Sequence, residues 1–348
     1  MNHASQSALG PAALGPAALG PAALGLDVGT SRIVIARRAE DDFRFESQLN
    51  AFVAIPYSKI TEGVLEREKI PHTVQSGQII VHGNESEKFA GLLNAETRRP
   101  MTGGVLDAKE PDSLSMIREI LTTMLAGHRA EKRQKVCFTV PAAPLNAGGS
   151  LTYHEATLRQ ILTDLNYEPV SINEGLAIVY SELESSNYTG IGISCGGGLC
   201  NVCLAYLSVP IISFSIPKAG DYIDTSAASV TGERANRIRL TKEDSFHFNG
   251  FFADKVHQVL GVYYDDMIRS LVTALKDAFT RTSNLPKFNR PIPMVLSGGT
   301  ALPPGFRDRF EKLLWEQDFP VTVSDIRLAQ NPLHSTAKGA LVCALSDS

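Results

Sequence analysis

The chain has 348 residues and a formal net charge of −4, which is long enough for two cores that need no covalent staples. It carries no basic run or basic tail, so direct nucleic-acid binding is not expected. Five irregularly spaced cysteines exclude a disulfide framework and fit a reduced, cytoplasmic compartment; no apolar run reaches membrane-spanning length, and the N-terminus lacks the pattern of a signal peptide.

The chain opens on "ALGPAALGPAALGPAALG", residues 8–25, a five-residue repeat. Pro11, Pro16 and Pro21 recur too often for a helix, and a Gly precedes each. Residues 1–21 are therefore expected to form a disordered tail outside the fold. "LGLDVGTSRIVIARR" then predicts two strands joined at a glycine turn. "KVCFTV" predicts a buried strand stopped by Pro141. Thr152 to Asn166 is a predicted helix with Leu158, Ile161, Leu162 and Leu165 on one face. "TGIGISCGGGLCNVCLAYLSVPIISFSI" predicts a hairpin and a further strand. Asp254 to Phe279 has the apolar spacing of a long helix, from Val256 and Val259 to Leu271 and Leu275. "IPMVLSGGT" is a strand running into a Gly-Gly turn, followed by a helix over Pro304 to Trp315. "VTVSDI" is a late strand, and "NPLHSTAKGALVCAL" a final helix.

This alternation defines an α/β class. Glycine turns stand at three strand ends: Gly29, Gly196 to Gly198, and Gly298 to Gly299. Ligands of α/β sheets bind outside strand ends, and backbone N–H groups without an intervening Cβ suit phosphate oxygens. Three such turns in two halves of the chain suggest two similar domains clamping one nucleotide. A rival reading is metal chemistry, because Cys195, Cys200 and Cys203 follow the Cys-x4-Cys-x2-Cys run of plant-type ferredoxins. The next cysteine, Cys343, lies far away in an apolar helical pattern. Strand alternation also sends Cys200 and Val202 one way, and Asn201 and Cys203 the other. Buried free thiols are the simpler reading.

Taken together, the motifs resemble the actin-like ATPases, and most of all the bacterial actins of the MreB and MamK type. "LDVGTSRIVIARR" is similar to the family's first phosphate loop and "CGGGLCNV" to the second. "RPMTGGVL" resembles the return from the first outer subdomain, "NEGLAIVYSEL" the first connecting helix, and "AGDYID" the Gly-Asp turn. "TGERANRIR" resembles the adenosine-side helix, "VLSGGTALPPGF" the adenine-side loop, and "NPLHSTAKGAL" the second connecting helix. The resemblance implies an α/β, actin-like two-domain fold, two ribonuclease-H-like halves around a nucleotide cleft. Domain I would span 22–175 and 325–348, with an outer subdomain at about 41–99. Domain II would span 176–324, with a small outer subdomain at about 222–255.

The same resemblance implies ATP and Mg2+ in the cleft and self-association head to tail into filaments, with a cargo or adaptor left open. Asp27 would hold metal-bound water, and Glu174 would reach the same shell. Gly29, Thr30, Ser31 and Arg32 would meet the β- and γ-phosphates, as would Ser194, Gly196, Gly197 and Gly198. Gly220 falls in the turn beyond them. Glu233, Asn236 and Arg237 would lie on the adenosine side, and Gly298, Gly299 and Thr300 near the adenine. Glu155 falls where the family positions attacking water. The segment Thr152-Tyr-His-Glu155 is also a capping box, which needs no catalysis.

Two departures qualify this picture. The family's second phosphate loop begins with Asp, and here Ser194 stands in its place. Serine accepts no proton at neutral pH, and general-base help contributes typically 10²–10⁴-fold, so the chain is expected to be a slow ATPase at most. Only a short segment separates "RIRL" from the long helix, which implies a shortened outer subdomain in the second half. The expected function is thus an ATP-binding cytoskeletal filament protein. The alternatives are a non-polymerising scaffold or chaperone-like relative, a membrane-linked adaptor similar to FtsA or PilM, and a small-molecule kinase that Ser194 opposes.

Overall fold

Two five-stranded sheets with the same topology form the centre of the molecule. They belong to a computed structural model that describes residues 23–346 apart from 41, 94, 96, 129–132, 146–150, 249 and 253. The expected tail at 1–21 lies outside the described residues. The repeat does not end where the fold begins, however, because its final Leu24 and Gly25 open the first strand.

β1 (Leu24–Val28), β2 (Arg32–Ala39) and β3 (Asp42–Leu49) form an antiparallel meander. An outer subdomain follows. It consists of β4 (Phe52–Pro56), α1 (Lys59–Arg67), β5 (His72–Gln75), β6 (Gln78–His82) and α2 (Glu85–Leu92). Its own small core gathers Val53, Ile55, Leu65, Ile79 and Val81. The expected start at about 41 is too early, because β3 pairs along its length with β2 in the main sheet. The chain returns through the short hairpin β7 (Met101–Thr102) and β8 (Val105–Leu106), and then α3 (Ser113–Leu125). β9 (Gln134–Val140), α4 (Leu151–Asp164) and β10 (Tyr167–Asn173) complete the first sheet, in order β10-β9-β1-β2-β3.

α5 (Glu174–Glu182) crosses to the second half. There β11 (Gly190–Cys195), β12 (Cys200–Tyr206) and β13 (Val209–Ile216) repeat the meander. The short outer part is built from α6 (Gly220–Thr231), α7 (Ala235–Asp244) and the segment leading into α8 (Lys255–Arg281). Asp254 caps α8, its carboxylate accepting from the His257 N–H at 3.1 Å, and Leu260, Tyr264, Met267, Leu271 and Leu275 are buried along one face. β14 (Ile292–Ser297), α9 (Phe306–Trp315) and β15 (Val323–Leu328) close the second sheet in order β13-β12-β11-β14-β15. β15 pairs in parallel with β14 as far as Leu328, so the second sheet runs past the boundary expected at 324.

α10 (Ser335–Ser346) returns to pack on the first half against α5 and β1. The packing is at backbone distance. A Cβ on Gly339 would stand 1.8 Å from the Ala177 carbonyl of α5, and one on Gly25 of β1 would stand 2.2 Å from the Ala337 carbonyl of α10. Among the described residues, no helix is long and apolar enough to cross a membrane.

Candidate nucleotide cleft

The site is made by two hairpins that repeat one design. In the first, Gly29 N–H donates to the Arg32 carbonyl at 2.9 Å; in the second, Gly196 N–H donates to the Leu199 carbonyl at 3.0 Å. Both are four-residue turns at the mouth of a meander. The registers match as well, with Asp27 opposite Val34 and Ser194 opposite Asn201. Asp27 and Ser194 therefore occupy equivalent places, two residues before the turn.

The two turns meet tip to tip. A Cβ on Gly197 would lie 2.3 Å from the Ser31 hydroxyl, and one on Gly198 2.5 Å from the Thr30 hydroxyl and 2.5 Å from the Gly104 nitrogen. Thr30 Oγ1 accepts from Gly104 N–H at 3.1 Å, which ties the β7–β8 hairpin to the first loop. The second loop is held from below. Gly196 O accepts from Gly220 N–H at 3.1 Å and from the Thr300 hydroxyl at 2.7 Å, and Gly197 O accepts from Asp221 N–H at 2.8 Å. Gly220 and Thr300 are thus brought to the loop. Gly298 holds a φ of 91°, and a Cβ there would lie 2.2 Å from the Cys195 carbonyl, so the Gly298–Gly299 turn seats on the same hairpin. The backbone N–H groups of Thr30, Ser31, Gly197 and Gly198 have no acceptor among the described hydrogen bonds, which leaves them available to an anion.

Under the turns lies a pair of carboxylates. Asp27 Oδ1 accepts from the Thr139 hydroxyl at 2.7 Å. Glu174 Oε2 accepts from Asn201 Nδ2 at 2.9 Å and from the Ser194 hydroxyl at 3.2 Å. Burial raises the pKa of Asp27 against the Thr139 hydrogen bond. Burial first, and the Asp27 charge second, raise Glu174 against the hydrogen bonds from Ser194 and Asn201. Two half-buried carboxylates that repel each other's ionised form suit a hard cation, which would relieve both penalties. The residues present therefore fit Mg2+.

The structure does not bring every expected residue to this point. Glu155 accepts from the Ser171 hydroxyl at 2.7 Å and from Arg159 Nη2 at 2.8 Å, and the Ser171 bond is the first cause of its lowered pKa. It is engaged on β10 and α4. The capping-box reading also needs correction: α4 begins at Leu151, which puts Thr152 inside the helix rather than ahead of it. Arg32 is exposed beside His334, whose pKa it lowers after burial. Glu233 and Arg237 form a surface pair at 3.4 Å. Asn236 faces a cavity of about 360 Å³ shared with Arg99, Asp221 and Arg239.

Other contributors were not singled out beforehand. Asn50, fully buried, donates from its side chain to Gly29 O at 2.9 Å and from its backbone to Ser31 O at 3.0 Å, fixing the first turn. Asn201 also joins the halves, its Oδ1 accepting from Ala142 N–H at 2.8 Å. Arg99 reaches across the cleft to Asp221 at 2.8 Å, and Arg239 of α7 pairs with Glu87 of α2. Arg99 and Asp221 stand inside the motifs "RPMTGGVL" and "AGDYID", where their charges were a usable signal. Nothing local marks Asn50. As for the ferredoxin-like cysteine run, no group of three or more metal-ligating side chains forms a metal site among the described residues. Cys200 and Cys203 face opposite cores.

Residues 22–344 match the volactin family. The chain belongs to that family. No curated protein sequence matches. Among solved structures, this volactin-family chain is similar to MamK in a double helical filament, at 16% identity, a TM-score of 0.69, and coverage of 94% of this chain and 99% of that one. It is also similar to MreB5 of Spiroplasma citri bound to AMPPNP, at 12% identity and a TM-score of 0.66, covering 95% and 98%. A third likeness is to the ethanolamine utilization protein EutJ of Carboxydothermus hydrogenoformans, at 15% identity and a TM-score of 0.54, covering 93% and 90%. The fold is actin-like, of the MamK and MreB type.

Proposed function

We propose that this chain binds ATP with Mg2+ between its two hairpins and polymerises head to tail into filaments. The observation that carries the reading is the facing of two equivalent turns, with four backbone N–H groups that have no acceptor among the described residues, over the Asp27–Glu174 pair. Thr30, Ser31, Gly197 and Gly198 would bind phosphate oxygens, and Gly298 to Thr300 the adenosine side. Asp27 and Glu174 would hold the cation through water, and the cation would neutralise phosphate charge. The MamK and MreB5 structures, described as a filament and as AMPPNP-bound, support both halves of the proposal. Heterologous contacts between identical subunits do not close, so they propagate.

Hydrolysis is expected to be slow. Ser194 replaces an acid, and Glu155 is engaged by Ser171 and Arg159, so neither supplies a free base at the turns. Without a transmembrane helix among the described residues, a cytoplasmic filament is the simplest setting. The test is sedimentation with negative-stain microscopy in ATP, in ADP and without nucleotide. Filaments that require nucleotide support the proposal. A monodisperse monomer in all three sinks it and favours the non-polymerising scaffold, which the short second outer subdomain would suit.

A further inference from the structure

The second turn is bracketed by a cysteine pair whose place is unusual. Cys195 ends β11 and Cys200 begins β12, and the two are cross-strand partners. The next pair outward, Gly196 and Leu199, carries the turn hydrogen bond. Alternation along an antiparallel ladder then makes Cys195 and Cys200 a non-hydrogen-bonded pair, with Cα atoms about 4.5 Å apart and side chains close. That separation lies within the range a disulfide spans. Both side chains enter the same core. Cys203 faces the opposite core and meets Ser213 at 3.4 Å, and Cys137 lies in the first sheet.

We propose that Cys195 and Cys200 are an oxidisable pair, and that their disulfide weakens nucleotide binding by the loop between them. The second part rests on the nucleotide reading above. The oxidant is a low-molecular-weight disulfide. One cysteine thiolate attacks it, its S–S bond breaks, and one small thiol leaves. The second cysteine then attacks the mixed disulfide and releases the second small thiol. Two hydrogens and two electrons pass from the protein to the oxidant, and one S–S bond is gained by the protein.

The link to nucleotide is a single hydrogen bond. The reduced Cys200 thiol donates to the Lys218 carbonyl at 3.4 Å. Lys218 leads directly into Gly220 and Asp221, whose N–H groups hold the loop carbonyls. Oxidation removes that donor and loosens the segment under the loop, leaving it held by the Gly220 and Asp221 N–H groups. The neighbouring Cys195 thiol and burial hold Cys200 protonated, so exchange is slow in the packed core and needs local opening of the second hairpin, which a nucleotide bound to its loop would oppose.

The test uses the full-length chain treated with oxidised glutathione, alkylated and mapped by non-reducing peptide mass spectrometry. The expected product links Cys195 to Cys200, leaves Cys137, Cys203 and Cys343 alkylated, reverses with dithiothreitol, and forms more slowly with ATP and Mg2+ present. A map in which both thiols stay alkylated, or in which either pairs with another cysteine, overturns the site. The affinity of oxidised and reduced chain for a fluorescent ATP analogue is then compared. A loss of roughly fivefold, the scale of one neutral hydrogen bond, is expected. The linkage with unchanged affinity overturns the regulatory part. No binding by the reduced chain overturns the nucleotide reading instead, with the cysteine linkage standing on the peptide map alone.

Discussion

The two facing hairpins share a turn length, a register and a sheet position, and yet they are chemically opposite. The first carries an acid and two hydroxyls in Asp27, Thr30 and Ser31. The second carries Ser194 and three glycines. The contact between them accounts for the difference: the hydroxyls of the first turn fill the space in which side chains of the second would otherwise stand. One turn contributes functional groups and the other contributes bare backbone. The acid missing at Ser194 is replaced in space by Glu174, whose carboxylate accepts from that serine. Two hairpins of one design thus specialise by what each omits.

The largest test of this division is Asp27→Asn. If the acid serves only the first hairpin, ATP affinity in Mg2+ should fall roughly 100-fold, the upper scale of a lost charged contact, as read by calorimetry. An affinity within a factor of three of the parent breaks the asymmetry. Next is Gly198→Ala, which should cost about 1–3 kcal/mol of stability through overpacking and part the turns, measured by denaturant unfolding. Gly197→Ala should be partly rescued by Ser31→Gly, whereas additive losses would mean that the tips do not touch.

Ser194→Asp restores the acid and should raise phosphate release roughly tenfold, below the usual ceiling for general-base help. An unchanged rate means that the equivalence of Asp27 and Ser194 has no catalytic content. A smaller effect is expected for Arg99→Ala, which removes the ion pair to Asp221 across the cleft. Release of a fluorescent nucleotide should quicken roughly fivefold, as for a partly exposed pair. A slower release would show that this pair does not keep the halves together.

The smallest effect concerns acid. Burial pushes His82 and His154 down to about 4 from 6.5. Between those values the unfolded chain binds more protons than the folded one. Stability is therefore kept above pH 6.5 and lost as pH falls toward 4. His82→Phe should flatten the fall of melting temperature over that window. A slope equal to the parent's would remove His82 from the account.

Much of this was legible in the sequence. Turns written into consecutive residues, such as Gly29 to Ser31 and Gly196 to Gly198, announce themselves because strand, glycine and hydroxyl lie side by side. The buried run of β9 and the long apolar face of α8 did the same. What failed to show depends on residues far apart in the chain. Thr30 meets Gly198 and Asn50 braces Gly29 only because two sheets and an outer subdomain are folded over each other. Glu155 was ambiguous for the same reason. Its true partner, Ser171, sits on a different strand, and the local pattern gave no hint of it. Residues 146–150, ahead of α4, remain outside the described residues, and so does the repeat tail.

The crossing of α5 and α10 has a mechanical consequence. With no side chain between Gly339 and the Ala177 carbonyl, the two connecting helices have no lubricating layer over which to slide. Such a contact favours turning of the halves about that point over sliding, like blades about a rivet. A small rotation there is magnified with distance from the pivot, so the outer subdomains, where Glu87 and Arg239 meet, must travel furthest. The ion pair between the outer subdomains is therefore a gauge of how far the blades have closed.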